Sequence, residues 1–373
     1  MKNNDLKYKI AIGQIPGLGS VNTKNLISYC GGVSEVFKAD KKKLLKIPGI
    51  GKITAESIIK NKHLIEEAEK ELEFTEKNNI KTRFYLDENY PFLLKQCSDA
   101  PVVFFEKGNI NFNGRKAISV VGTRKATKYG KDICENLIKE LAELGHNPVI
   151  VSGLAFGIDV CAHKAALKYG LDTVAVLGHG LNKIYPRQHE RIASEITKKG
   201  AIISEFTTFS KFDRQNFLQR NRIIAGLSEA TVVIESAEKG GALVTADIAN
   251  SYNRDVFAVP GRLEDKYSEG TNKLIKTHKA FLLQSAKDVE YILNWEEKTE
   301  IRQQQLFTEL SEDEKTIAKI LSENGKQMID FICKKSGFNS AKASAVLLEM
   351  EFKNIVRNLP GKIFELSGNV NIE

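Results

Sequence analysis

The feature that most constrains the fold is a regular alternation of short Val/Ile-rich runs with helix-length segments across residues 116–295. Connections of helix length between successive strands predict βαβ units, and hence a mainly parallel sheet covered by helices on both faces. We therefore predict an α/β domain over this range. Its strand candidates are Ile118–Val121, Val149–Ser152, Thr173–Leu177, Ala201–Ser204, Thr231–Glu235, Asp255–Val259 and Phe281–Gln284.

Four of these runs are predicted to end at a glycine turn that opens the next helix. Such a turn presents free backbone N–H groups and the positive end of the helix dipole, so it binds anions. Because the carboxyl ends of parallel strands lie at one edge of a sheet, we expect a track for several phosphates there. The turns are Val121-Gly122-Thr123-Arg124, Val151-Ser152-Gly153-Leu154-Ala155-Phe156-Gly157, Leu177-Gly178-His179-Gly180 and Lys239-Gly240-Gly241.

The most cationic segment of this domain is 211–222, which runs into an apolar helix. Arg220 and Arg222 are predicted to lie across the strand ends, where each guanidinium can bind phosphate oxygens bidentately. Phe212 and Phe217 are candidate stacking faces for unpaired bases. In the alternative interpretation Arg222 pairs with a carboxylate at the sheet end, and both phenylalanines belong to the core.

Asp159 and His163 are spaced i, i+4 on the helix after Gly157, so they share a face. They are candidates for a general-base pair, but no nucleophile stands in a fixed partner motif. A structural role, with Asp159 capping the helix and hydrogen-bonded to His163, is the favoured interpretation. The sequence lacks a P-loop, an H-E-x-x-H motif, a carboxylate cluster and a complete dinucleotide fingerprint. We therefore expect no metal and no cofactor.

Residues 1–75 are predicted to form a helical domain of the helix-hairpin-helix (SAM-like) type, followed by a connecting extension over 76–115. Two turns share the pattern apolar-Pro-Gly-apolar-Gly, and residues 1–70 carry 13 basic against 7 acidic side chains. The glycine hairpins are a candidate second DNA site; in the alternative interpretation they only connect helices or contact protein. The residues concerned are Gly17, Gly19, Gly49, Gly51 and Lys52.

Beyond a charged, Gln-rich linker at 296–310, the segment 311–373 is predicted to be a winged helix. It has three helical stretches and a closing hairpin with a Pro-Gly turn. The third helix carries mainly small and apolar side chains, with Lys342 as its one base. Because phosphate contacts need cations, we favour a protein-contact role over DNA readout.

Bulk properties agree with a nucleic-acid partner without requiring one. The chain of 373 residues has a net charge of +8, which many metabolic enzymes also have. Its five cysteines form no C-x-x-C pair, and no apolar run reaches the length of a membrane span. We expect a reduced, cytoplasmic protein.

Several motifs, in order along the chain, closely resemble those of the bacterial DNA-processing DprA (Smf) family, which has a Rossmann-like domain. They cover the whole of that domain. The matching runs are Ser119-Val120-Val121-Gly122-Thr123-Arg124, Val151–Asp159 with His163, Thr173–Gly178 with Tyr185-Pro186, Arg220–Ser228, Val259-Pro260-Gly261 and Gly270–Ile275.

The resemblance implies a homodimeric single-stranded DNA-binding protein that protects incoming DNA during natural transformation and loads the RecA recombinase onto it, without catalysis. It places a DNA-binding pocket at the glycine turns and the arginines beside them. The implied residues are Gly122, Thr123, Arg124, Ser152, Gly153, Gly157, Arg187, Arg220, Asn221, Arg222, Gly240 and Gly241.

Some positions depart from the family pattern. Gly240-Gly241-Ala242 stands where Ser-Gly-Ser is usual, and Phe217-Leu218 stands where Phe-Pro is common. The rival hypothesis is a nucleotide-base hydrolase on a related sheet, whose loop reads Pro-Gly-Gly-x-Gly-Thr-x-x-Glu. The segment 240–247 lacks the Pro, the third Gly and the Glu of that loop.

Overall fold

The computed structural model describes residues 2–295, 310–353, 355–359 and 362–367. Contacts divide the chain into two compact units, Met1–Glu296 and Glu297–Glu373, which we describe separately. The predicted linker at 296–310 lies outside the described residues except for its last position. The finer predicted boundaries within the first unit stay predictions.

The first unit begins with six helices. Two glycine-containing turns connect α1 to α2 and α4 to α5, as the repeated apolar-Pro-Gly pattern predicts. Gly17 and Gly49 have φ angles of 74° and 83°, a left-handed conformation that glycine adopts without steric cost. The helices are α1 (Lys2–Gly13), α2 (Ser20–Cys30), α3 (Val33–Lys38), α4 (Lys41–Leu45), α5 (Lys52–Lys60) and α6 (Leu64–Lys77).

A nine-stranded sheet forms the body of this unit, in the order β1-β2-β6-β5-β4-β3-β7-β8-β9. Strands β3 to β9 pair in parallel, and β1 and β2 add an antiparallel extension next to β6. This confirms the predicted Rossmann-like sheet. The strands are β1 (Ile80–Phe84), β2 (Val103–Gly108), β3 (Ala117–Val121), β4 (Val149–Ser152), β5 (Thr173–Val176), β6 (Ala201–Ser204), β7 (Ala230–Val233), β8 (Asp255–Ala258) and β9 (Phe281–Leu282).

Helices cover both faces of the sheet and bury its central strands, which read as unbroken apolar runs for that reason. Strands β3, β4 and β7 are buried along their whole length. The remaining helices of the unit are α7 (Phe92–Lys95), α8 (Lys128–Glu143), α9 (Ile158–Lys168), α10 (Glu190–Lys199), α11 (Arg214–Gln219), α12 (Asn221–Gly226), α13 (Gly241–Ser251), α14 (Glu269–Lys276) and α15 (Ala286–Ile292).

The N-terminal helices share a hydrophobic core with the start of the sheet. Ile10 and Leu26 from the helices belong to the same buried cluster as Phe84, Val103 and Phe105 from β1 and β2. This cluster joins the helical region to the antiparallel extension of the sheet.

A polar link adds to that contact. Buried Glu71 on α6 accepts hydrogen bonds from the Thr208 backbone N–H (2.9 Å) and hydroxyl (2.5 Å). Burial raises the pKa of Glu71. The loop after β6 is therefore attached to the N-terminal helices.

The described residues of the second unit form three helices and a small antiparallel sheet in the order β10-β12-β11. This confirms the predicted winged-helix fold, although the predicted Pro360-Gly361 turn lies outside the described residues. Its elements are α16 (Glu312–Asn324), β10 (Gln327–Met328), α17 (Ile329–Ser336), α18 (Ser340–Phe352), β11 (Val356–Leu359) and β12 (Ile363–Leu366). Across the described residues of both units, we find no helix with the length and apolarity to span a membrane.

Candidate nucleic-acid interface

The direction of the chain across the sheet reverses between β3 and β7. Strands β4, β5 and β6 lie on one side of β3, and β7, β8 and β9 lie on the other. In open α/β sheets a crevice forms at the carboxyl ends of the strands at this point. Here it is a cavity of about 540 Å³, the switch-point cavity. It is lined by Val121, Gly122, Thr123, Arg124, Ala155, Asp159, Tyr185, Phe212, Arg214, Phe217, Leu218, Arg220, Asn221, Ile224, Ser236, Ala237, Lys239, Gly240, Gly241, Ala242 and Thr245.

One wall of the cavity is the loop after β3, which carries Arg124. The Thr123 N–H donates to the Glu235 carbonyl (2.8 Å), and the Thr123 carbonyl accepts from the Ile158 N–H (3.2 Å). A Cβ at Gly157 would overlap that carbonyl, so only glycine permits this close approach. Arg124 is exposed, and no ion pair joins it to any described residue. Gly157 therefore shapes the loop from outside the cavity lining.

Glu235, just beyond β7, fixes the far end of the same loop. Its carboxylate accepts from the Thr127 N–H (3.0 Å) and the Thr127 hydroxyl (2.5 Å). A Cβ at Gly130 would overlap this carboxylate. No local sequence signal marks Glu235 for this role, since its partners come more than a hundred residues earlier in the chain.

Arg220 lines the cavity but is buried, so it does not extend across the mouth. Its Nη1 donates to the Val176 carbonyl (3.1 Å), and its Nη2 lies 3.9 Å from the Asp159 carboxylate. A Cβ at Gly153 would overlap the guanidinium, so this glycine makes room for an arginine. Ser152 is buried and donates to the Val120 carbonyl (2.6 Å). Neither Ser152 nor Gly153 lines the cavity.

The predicted hydrogen bond between Asp159 and His163 is wrong. Asp159 accepts instead from the Ala155 N–H (3.4 Å). His163 is buried with its Nδ1 2.7 Å from the Thr173 hydroxyl. Burial lowers the pKa of His163 to about 3, so the ring is neutral at physiological pH. Burial also raises the pKa of Asp159, against the opposing effect of Arg220.

Three aromatic rings form a second wall of the cavity. The ring centroids of Tyr185, Phe212 and Phe217 lie 5.1 to 5.9 Å apart in edge-to-face contacts. Tyr185 and Phe212 are 49% and 43% exposed, which argues against the interpretation of Phe212 as a core residue. The ammonium of Lys183 lies 4.9 Å from the Phe212 ring centre. These rings offer faces to flat, partly apolar groups.

The third glycine turn does not open a helix, contrary to the sequence analysis. After β5 ends at Val176, the next helical residues are the 3₁₀ turn Arg187–His189. A Cβ at Gly180 would approach the Thr207 carbonyl within 2.5 Å, and one at Gly178 would contact Phe217 at 3.0 Å. These glycines allow close packing beneath the aromatic wall.

Arg222 is not brought to the cavity. It forms an ion pair with Glu205, just after β6, and donates to the Asp99 carbonyl (2.5 Å). The Arg222 and Glu205 side chains are 12% and 10% exposed. The geometry agrees with the alternative interpretation, in which Arg222 pairs with a carboxylate at the sheet end. Arg187 also lies outside the lining, with its side chain 89% exposed and 3.6 Å from Glu190.

Two cations that were not among the predicted site residues line the cavity, whereas Arg222 and Arg187 do not. Arg214 and Lys239 line the cavity and are exposed. Neither forms an ion pair within the described part of the chain. Lys239 precedes Gly240 and Gly241, where α13 begins without a side-chain cap, so the first N–H groups of the helix are open to a ligand. Their only sequence signal was membership of the cationic segment and of the fourth turn.

The N-terminal hairpins lie elsewhere in the first unit. Gly17 and Gly19 line a separate cavity of about 450 Å³ together with Glu205. Gly51 and Lys52 are exposed where α5 begins.

Comparison with known proteins shows which family the chain belongs to. Residues 81–294 match the sequence model of the DNA recombination-mediator protein A family. The protein Smf of Synechocystis sp. is 31% identical, over 98% of this chain and all of that protein. The chain belongs to the DprA (Smf) family. Residues 11–61 also match the SAM-like helix-hairpin-helix tandem, which confirms the predicted N-terminal fold.

The chain is also similar in sequence or structure to DprA proteins of other bacteria. The DNA processing protein DprA of Bacillus subtilis is 43% identical over 54% of this chain and 67% of its own length. The X-ray structure of DprA from Streptococcus pneumoniae superposes with a TM-score of 0.67 at 33% identity, covering 76% of this chain and 97% of that one. A structure of DprA from Helicobacter pylori, described for its single-stranded DNA binding mode, superposes with a TM-score of 0.52 at 29% identity, covering 58% and 96%.

Proposed function

We propose that this DprA-family protein binds single-stranded DNA in the switch-point cavity. The observation that carries the proposal is the pairing of two unlike walls. One wall offers Arg124, Lys239 and the open N–H groups of α13, and the other offers the exposed rings of Tyr185 and Phe212. Phosphates fit the first wall and base faces fit the second.

This pairing favours single over double strands. In a duplex the base faces are stacked on one another and are not available to aromatic side chains, whereas an unpaired base has a free face for stacking. A cavity lined by both cations and aromatic rings therefore selects strands whose bases are free. The H. pylori relative, described as binding single-stranded DNA, supports the same substrate class.

We further propose that the protein is cytoplasmic and homodimeric, performs no catalysis, protects incoming DNA during natural transformation and loads RecA onto it. Family membership supports this role, since the matching family is named for mediating DNA recombination. The DNA-binding residues of the proposal are those of the cavity. Arg222 and Arg187 stay predictions that the geometry does not favour.

The second helical hairpin is the better candidate for an additional DNA contact. Gly51 and Lys52 are exposed at the start of α5, whereas Gly17 and Gly19 of the first hairpin share a cavity with the Glu205 carboxylate. That cavity has no cation among its described lining residues, whereas Lys52 supplies one at the second hairpin, and phosphate contacts need cations.

The decisive test is fluorescence anisotropy with labelled single-stranded and duplex oligonucleotides over a range of salt. We expect preference for the single strand and a steep loss of affinity with salt. Arg124→Ala should weaken single-strand binding strongly. Lys139→Ala, which removes an equal charge from the distant end of α8, should bind like the unmodified protein. Equal binding by both variants would overturn the assignment of the cavity.

The recombinase role needs a separate measurement. RecA filament formation on single strands precoated with single-strand-binding protein should speed up when this protein is added. Arg124→Ala should abolish that effect. Unchanged RecA kinetics with intact DNA binding would reject the loading role while leaving the cavity assignment in place.

A further inference from the structure

A second cavity, of about 600 Å³, opens beside the switch-point cavity, between α13 and α14. We call it the outer lobe. The two cavities share Arg214, Leu218 and the turn from Lys239 to Gly241 as lining. A linear polymer that leaves the first cavity across the N-terminus of α13 therefore enters the second directly.

The outer lobe combines a cationic rim with an aliphatic floor. Lys273 and Lys279 stand exposed on the rim, 3.6 Å from Glu238 and 2.9 Å from Asp247. Since the partners in both pairs are more than half exposed, the pairs are weak and a phosphate can compete for the lysines. With Arg214 and Lys239, the lobe has four cations against two carboxylates.

The floor differs from that of the first cavity. Leu218 and Val244 are 45% and 40% exposed there, and Leu243 is half-buried beside them. Among its described lining residues the outer lobe has no aromatic ring, whereas the switch-point cavity has three. Bases in the outer lobe would rest on aliphatic side chains and contribute less than stacked bases.

Resting on the proposed function, we infer that the outer lobe continues the path of the bound single strand, so that the DNA site extends over α13 to Lys273 and Lys279. The occupant is the same strand rather than a separate ligand, because the lobes share a wall and both carry excess positive charge. The strand is stacked in the first cavity and held mainly through phosphates in the second. Affinity should therefore grow with strand length beyond the first cavity.

The test compares oligothymidylates of about 5 nucleotides, near the lower end of known single-strand site sizes, and about 20 nucleotides, beyond their upper end. The variant is K273A/K279A. Its matched control is K276A/K287A, which removes the same charge from exposed positions outside the lobe. For the long strand we expect the log–log salt slope of K273A/K279A to fall by about 1.4, the contribution of two phosphates. The short strand should bind unchanged, and the control should match the unmodified protein for both lengths.

Equal loss for both lengths, or no loss for the long strand, would overturn the extended path. If K273A/K279A changes the sedimentation coefficient without a length-dependent effect, the lobe is an interface between two copies, and the inference is also overturned. Failure of the proposed function looks different, since the short strand would then not bind the unmodified protein or would bind Arg124→Ala equally well.

Discussion

Replacing Arg222 should damage the stability of the protein, whereas replacing Arg124 should damage only its DNA binding. Both arginines lie near the carboxyl edge of the sheet, and the sequence motifs assign both to DNA. Their surroundings differ: Arg222 is nine-tenths buried in an ion pair with Glu205, and Arg124 is exposed in the switch-point cavity.

The expected loss of stability follows from the state in which Arg222→Ala leaves Glu205. The Glu205 carboxylate would stay buried without its cation, and breaking a buried pair from one side costs about 3–5 kcal/mol. That is a large part of the roughly 5–15 kcal/mol that stabilises a typical domain. Arg124→Ala removes an exposed side chain and should change the free energy of unfolding by less than about 0.5 kcal/mol.

Urea denaturation followed by circular dichroism measures these free energies, and anisotropy measures DNA binding for the same samples. In Glu205→Gln/Arg222→Met, which removes both charges, most of the lost stability should return. Burial raises the pKa of Glu205, so the defect of Arg222→Ala should shrink as pH falls and the carboxylate takes up a proton. Full stability of Arg222→Ala together with lost DNA binding would refute this reasoning and make Arg222 a DNA ligand.

Two further predictions concern the buried layer under the cavity. Gly153→Ala should displace the Arg220 guanidinium and leave Asp159 unpaired. This should lower the free energy of unfolding, measured in urea titrations, by about 3–5 kcal/mol. Near-normal stability of the variant would show that the Arg220 side chain can adopt another position at little cost. His163, with its pKa lowered to about 3, binds a proton when unfolded near pH 6.5 but not when folded, so stability should decrease on acidification between these values by up to about 1.4 kcal/mol per pH unit. His163→Gln should flatten this slope, and an identical pH profile would contradict the assignment.

The fold could be predicted from the sequence because its signals are local. Val/Ile-rich runs of strand length separated by helix-length segments require a parallel sheet, and the carboxyl ends of its strands then meet at one edge. Val149–Ser152 and Ala201–Ser204 match the observed strands residue for residue. The place of the cavity followed from the same reasoning.

The side chains of the site were harder to predict because their partners are distant in the sequence. Arg220 and Arg222 stand two residues apart, yet one is buried in the cavity lining against Val176 and the other turns to Glu205. No local pattern contains that information, since the choice depends on a carboxylate at the end of a different strand. Gly153 shows the same limit. Its glycine-turn motif predicted a contact with an anion, but in the structure the nearest side chain is the Arg220 guanidinium.

The hydrophobic cluster shared by the N-terminal helices and the first two strands has a consequence for dissecting the protein. Phe84, Val103 and Phe105 are almost wholly buried there. A fragment that begins at the sheet would expose these side chains on an edge of the molecule, where unpaired apolar strands promote aggregation. The same cut would release the loop that Glu71 holds through Thr208, four residues before Phe212. Activities of the hairpin region and of the cavity are therefore better separated by point substitutions than by truncation.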